Sequence, residues 1–170
     1  MRRFLLCLLL LIAAPAWAEP IRLLDNALTF DLPQGFRPMT PIEIGVKYPK
    51  PAPQHAYTAD DELNVTIAVW KVPYPDAAPD KLAATGASMQ QDIAKRPGTK
   101  VSKHGVVTIG EAQWYAIDFA SKANNVAVEN RTRMGMRQGY FVLVTVNATA
   151  ALFPKREPDM LVMLSSLKLD

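Results

Sequence analysis

Asp118, Arg131 and Arg133 are the residues of this chain whose types and spacing could do chemistry together. A carboxylate on one strand facing two guanidinium groups on the next makes either a partly buried cross-strand ion pair or the polar floor of an anion site. Apolar positions flank all three on the same face, and the structural pair is the simpler reading. The alternative is a small-ligand or enzyme pocket. A closed face separates the first from the second, which requires a concave pocket with both Arg side chains unpaired. Arg137 continues the same alternation toward the end of the hairpin, where it reads as solvated.

No other grouping reaches the standard of a site. Ser88, in Gly86-Ala87-Ser88-Met89-Gln90, lacks the second Gly of a nucleophile elbow and falls within a helix rather than at a strand-to-helix turn. His55 and His104 are the two histidines, and neither has further ligands at local spacing, whereas zinc asks for three or four. Asp60-Asp61-Glu62 lacks the Gly and the ligand order of a calcium loop and reads as a solvated turn. We therefore assign no catalytic residue, no metal and no cofactor.

For Asp118 to meet the arginines, the strands that carry them must be neighbours. Lys100 to Asn147 reads as four consecutive strands separated by Gly110-Glu111, Asn124-Asn125 and Gln138-Gly139, each a plausible tight turn. With Asn124-Asn125 as a two-residue turn, Asp118 lies opposite Arg131 and Trp114 opposite Gly135. One face of this antiparallel meander then holds Trp114, Ala116, Val142, Val144 and Val146, and the other Tyr115, Ile117, Phe119, Met134, Phe141 and Leu143. Both faces are apolar, which asks for helices on both sides.

Helices are available. Thr40-Pro41-Ile42-Glu43 is a helix start, with Thr as cap, Pro at the first position and Glu in the first turn; Pro49, Pro51 and Pro53 keep that helix short and form a surface loop. From about Asp80 to Arg96, Leu82, Met89 and Ile93 share one helical face, and Pro97-Gly98 ends it. Gly86 in its middle costs about 1 kcal/mol relative to Ala but lets the helix approach a sheet closely. Lys155 to Ser166, with Met160, Leu161 and Leu164, supplies a third helix, and Leu167 to Leu169 a last short strand. Upstream, Ile21–Leu24 and Ala27–Leu32 flank Asp25-Asn26 as a hairpin closed by Pro33-Gln34-Gly35, and Leu63 to Val72 alternates as a strand. The fold class is α+β: an α/β/α sandwich, mainly antiparallel, with helices on both faces.

The first eighteen residues give an address. Arg2-Arg3, an apolar run from Phe4 to Ala14 and Ala16-Trp17-Ala18 read as a secretory signal peptide cut between Ala18 and Glu19. The run is shorter than the roughly 20 residues of a membrane span, so residues 19–170 are expected as one soluble domain without a transmembrane anchor. An uncleaved N-terminal anchor is the alternative. Cys7 lies inside the run and lacks the small residues before it that lipoprotein processing requires. Its loss leaves no disulfide, which favours a bacterial periplasm over a disulfide-rich secreted scaffold. Arg2 and Arg3 account for two of the three net positive charges, and the remaining basic residues are scattered among acids, which argues against a nucleic-acid partner. Asn64-Val65-Thr66, Asn130-Arg131-Thr132 and Asn147-Ala148-Thr149 match the glycosylation pattern, which is silent in most bacteria.

Phe30-Asp31-Leu32-Pro33-Gln34-Gly35-Phe36, Trp114-Tyr115-Ala116-Ile117-Asp118-Phe119, Arg131-Thr132-Arg133 followed by Tyr140-Phe141-Val142, and Met163-Leu164-Ser165-Ser166-Leu167-Lys168 occur in that order across nearly all of residues 19–170. Together they resemble the DcrB-related members of the PsbP-like superfamily. The resemblance implies an α/β/α sandwich and a mostly non-enzymatic repertoire of exported or envelope proteins, assembly and docking factors and effector chaperones. It carries no shared catalytic residues. The chaperones act in the cytoplasm, which the signal peptide argues against, and the partner expected is an envelope protein of unspecified identity.

Overall fold

The computed structural model describes residues 19–48 and 51–170. The signal segment, Cys7 and the Ala18 side of the cleavage site lie outside the described residues, as do Pro49 and Lys50 of the Pro-rich loop.

The described residues open with the expected hairpin, β1 (Glu19–Leu23) and β2 (Leu28–Leu32). Leu24, Asp25 and Asn26 all have positive φ, a conformation that Asp and Asn tolerate better than most residues. Two short strands then escape the sequence reading, β3 (Arg37–Pro38) and β4 (His55–Thr58), on either side of helix α1 (Pro41–Lys47). α1 starts at a complete capping box: the Thr40 hydroxyl accepts from the Glu43 N–H, and the Glu43 carboxylate accepts from the Thr40 N–H at 2.7 Å. β5 (Val65–Pro73) follows, then a 3₁₀ turn (Pro79–Lys81) leading into α2 (Leu82–Ala94).

The meander is β6 (Lys100–Ile109), β7 (Ala112–Ala123), β8 (Val126–Arg137) and β9 (Tyr140–Thr149), joined at the three expected turns. Asn124 and Asn125 both have positive φ, as the tight turn between two twisted strands requires. That turn sets the register, and Asp118 faces Arg131 while Trp114 faces Gly135. Helix α3 (Phe153–Ser165) and β10 (Lys168–Leu169) complete the chain.

Seven strands form one antiparallel sheet in the order β3-β4-β5-β9-β8-β7-β6. α2 covers the face bearing Tyr115, Ile117, Phe119 and Met134, through Leu82 and Ile93. α3 covers the other through Met160, Met163 and Leu164, over Trp114, Val142, Val144 and Val146. Each fully buried aliphatic side chain adds roughly 1.5–3 kcal/mol, so both coverings contribute to stability. The layer beside α3 is more than a helix, however. β1, β2 and β10 form a separate three-stranded sheet, which brings Leu28, Phe30 and Leu169 into the same core. Leu161, by contrast, is half-exposed.

Two glycines set these contacts. A Cβ on Gly86 would lie 2.1 Å from Cγ of Tyr115, so α2 rests its backbone on that ring. A Cβ on Gly135 would lie 2.6 Å from Cδ2 of Leu169 and 2.9 Å from Cζ3 of Trp114.

Candidate functional site

β7 and β8 position the candidate group, and their pleat turns Asp118, Arg131 and Arg133 toward the α3 side of the sheet, beside Val144 and Val146. Arg131 lies directly opposite Asp118, yet the short bond goes elsewhere. Arg133 Nη1 donates to Asp118 Oδ1 at 2.7 Å, while Arg131 Nε stands 3.6 Å from Oδ2. The reason is reach. Directly opposite Cβ atoms are about 5 Å apart and diagonal ones about 7 Å, and the longer gap suits an extended guanidinium. The expected Asp118–Arg131 pair is therefore a three-residue cluster in which Arg133 is the closer partner.

The cluster is closed by further groups that sequence reasoning missed. Arg131 donates toward Glu129 and Glu157, each at 3.4 Å, and to the Asn130 carbonyl at 3.2 Å. Its guanidinium lies 4.4 Å from the Phe153 ring centroid, a cation–π contact from the start of α3. Arg133 Nη1 also donates to the Thr132 carbonyl at 2.8 Å. The side chains of Asp118, Arg131 and Arg133 are only 11, 15 and 9 % exposed. Three carboxylates thus face two guanidinium groups, and no positive charge is left over for an anion. Glu129 shares the β8 alternation and was findable from the strand pattern; Phe153 and Glu157 come from a helix whose placement the pattern does not give.

Two surface cavities lie away from this cluster. One, of about 810 Å³, opens where the β6–β7 turn, the end of β8 and β10 converge, between apolar Leu82, Ile109 and Met136 and polar Gln113, Arg137 and Lys168. Its size suits a small ligand. Arg137 is not the solvated residue expected: it donates to the carbonyls of Leu169 and Asp170 and latches the last strand to β8. The second, about 580 Å³ and wide open, runs along α2 past Tyr74, Ser88, Asp92 and Arg96. Ser88 is exposed there, and among the described residues no hydrogen bond joins it to a histidine.

The remaining candidates are dispersed. His104 is an exposed residue of β6 whose Nδ1 lies 3.5 Å from the Tyr115 hydroxyl, and His55 begins β4. Asp60 organises its turn by accepting from the N–H groups of Asn64 and Val65, and Asp61 accepts from Arg37. Among the described residues no three His, Cys, Asp or Glu side chains gather as a metal would need. Asn130 and Asn147 are buried and hydrogen-bonded, Asn130 to backbone carbonyls of β7 and β8 and Asn147 to the Thr66 hydroxyl. No described helix is long and apolar enough to cross a membrane.

No protein-family model matches the chain, and no curated protein matches it by sequence. Solved structures do. Cyanobacterial PsbP (CyanoP) from Synechocystis sp. PCC 6803 superposes with a TM-score of 0.66 at 12% identity, over 93% of this chain and 95% of its own. LpqN, described as involved in cell envelope biogenesis of Mycobacterium tuberculosis, gives 0.59 at 16% identity over 88% of each chain. PA94 of Pseudomonas aeruginosa, a protein of unknown function, gives 0.53 at 16% identity over 91% of this chain and 98% of its own. The fold is PsbP-like.

Proposed function

We propose that this chain is an exported, non-enzymatic binding or assembly module of the bacterial envelope, of the DcrB-related kind, working in the periplasm after cleavage between Ala18 and Glu19. The observation that carries this reading is the internally paired cluster. The constellation that the sequence singles out, Asp118 with Arg131 and Arg133, is closed by Glu129, Glu157 and Phe153 and turned into the sheet–helix interface. A catalytic or anion-binding group keeps charge unpaired and reachable; these groups hold one another. The PsbP-like fold and the involvement of LpqN, one of its structural neighbours, in cell envelope biogenesis support the compartment. The function then lies on the surface, and the partner is an envelope protein.

Affinity capture from detergent-solubilised envelope, with the chain itself as bait, tests this. The expected result is a specific protein partner that an Asp118→Ala/Arg133→Met bait still captures. A shift in melting temperature with inorganic phosphate, sulfate or small carboxylates, abolished by Arg131→Met, would establish the anion pocket instead.

A further inference from the structure

Helix α1 has two unlike sides. Ile44 and Tyr48 lie on the inner one, packed against Met39, Ala56 and Leu63. Ile42 and Val46, one turn apart, lie on the outer one, 80 and 79 % exposed, the two most exposed large aliphatic side chains among the described residues. Gly45 adjoins that ridge. It sits inside the helix without a positive φ, and a Cβ added to it would meet nothing within 4 Å. Glycine at such a position costs about 1 kcal/mol against alanine, and neither conformation nor packing within the fold requires it. On an exposed helix it lets another backbone come close.

A charged margin runs along the other flank of the ridge. Arg37 bridges Glu43 of α1 and Asp61, at 2.8 and 2.9 Å, and Lys47 donates to the Leu63 carbonyl at 2.7 Å, so the Asp60–Leu63 turn lies alongside the helix. Four carboxylates, Glu43, Asp60, Asp61 and Glu62, face two cations among the described residues of this margin, and the Asp61 side chain is 96 % exposed. An apolar ridge with an acidic border repels an anionic lipid surface and suits a partner that is both apolar and basic.

Resting on the binding-module reading above, we propose that α1 docks an amphipathic, basic helix of the envelope partner. Its apolar side chains pack against Ile42 and Val46, and its backbone crosses α1 at Gly45. Both oxygens of Glu43 are already held by Arg37, which leaves Asp61 and Glu62 to receive the lysines or arginines on the flank of the partner helix. Apolar contact gives the affinity, and the acidic margin selects a basic helix over an acidic one.

Calorimetric titration with a synthetic amphipathic helix of leucine and lysine tests the proposal, with its leucine–glutamate counterpart and phosphatidylglycerol vesicles as separate arms. The expected result is saturable one-to-one binding of the lysine peptide and weaker binding of the glutamate peptide. Ile42→Ser and Val46→Ser should each raise its dissociation constant about tenfold, the loss of one buried aliphatic contact, with an unchanged circular dichroism spectrum. Asp61→Lys with Glu62→Lys should reverse the preference between the peptides. Gly45→Ala should raise the melting temperature of the free chain yet weaken binding about tenfold, because its methyl group fills the crossing point. Absence of saturable binding, equal binding of the two peptides, binding of vesicles in place of peptide, or a Gly45→Ala chain that binds as before overturns the proposal. Envelope capture separates its failure from that of the binding-module reading. A partner still captured by an Ile42→Ser/Val46→Ser bait overturns the α1 surface alone, whereas an envelope that yields no partner overturns both.

Discussion

Replacing Asp118 by Ala removes the carboxylate that Arg133 holds at 2.7 Å, in a pair whose side chains are 11 and 9 % exposed. The two arginines then fare differently. Arg131 keeps Glu129, Glu157 and the Phe153 ring, whereas Arg133 keeps only the Thr132 carbonyl among the described residues. An uncompensated buried charge of this kind costs roughly 3 to 5 kcal/mol. The slope of stability against urea is about 1–3 kcal/mol per molar, so the unfolding midpoint should fall by one molar or more. Asp118→Ala with Arg133→Met should recover much of the loss, because the new apolar side chain lies beside Ala116 and Val144. Asp118→Ala with Arg131→Met should recover less, since it leaves Arg133 stranded. Urea unfolding of the three variants reads these differences directly. A near-neutral Asp118→Ala, or better rescue at Arg131 than at Arg133, would refute the reasoning.

Gly86→Ala raises intrinsic helix propensity by about 1 kcal/mol, yet its Cβ would fall 2.1 Å from the Tyr115 ring, so thermal unfolding should show a net destabilisation. Bonding to Arg37, reinforced by the Thr40 N–H, holds Glu43 at about 2 against an ordinary 4.5. A lowered folded-state pKa stabilises above the unfolded value and loses that contribution as pH falls, so wild type and Glu43→Gln should differ in melting temperature above pH 4.5 and converge near pH 2. Melting should also be indifferent to reductant and to chelator; a loss of several degrees with chelator would reveal a metal site.

The meander was legible because its signals are local. Gly110-Glu111, Asn124-Asn125 and Gln138-Gly139 punctuate an alternation strong enough to assign both faces, and one turn length fixes every cross-strand neighbour from Trp114 to Asp118. The capping box and the close approach at Gly86 were local as well. β3 and β4 were not, being two and four residues set around a Pro-rich loop, β3 held by pairing to β4 and β4 by pairing to β5. The pairing of β10 with β2 joins opposite ends of the chain, and no periodicity reports it. The same distance hid the Arg137 latch. At the candidate site the alternation named the right strand positions, but side-chain length decided that Arg133 rather than Arg131 is the nearer partner of Asp118. Phe153 and Glu157 closed the cluster from an element whose docking is a tertiary event.

Export is the claim on which the functional account rests, and it can be measured in one experiment on the full chain carrying a C-terminal tag. Osmotic-shock release followed by N-terminal sequencing should recover the protein outside the cytoplasmic membrane beginning at Glu19. A protein that begins at Met1, held in the cytoplasm or resisting high-salt washing from the membrane, would contradict the account.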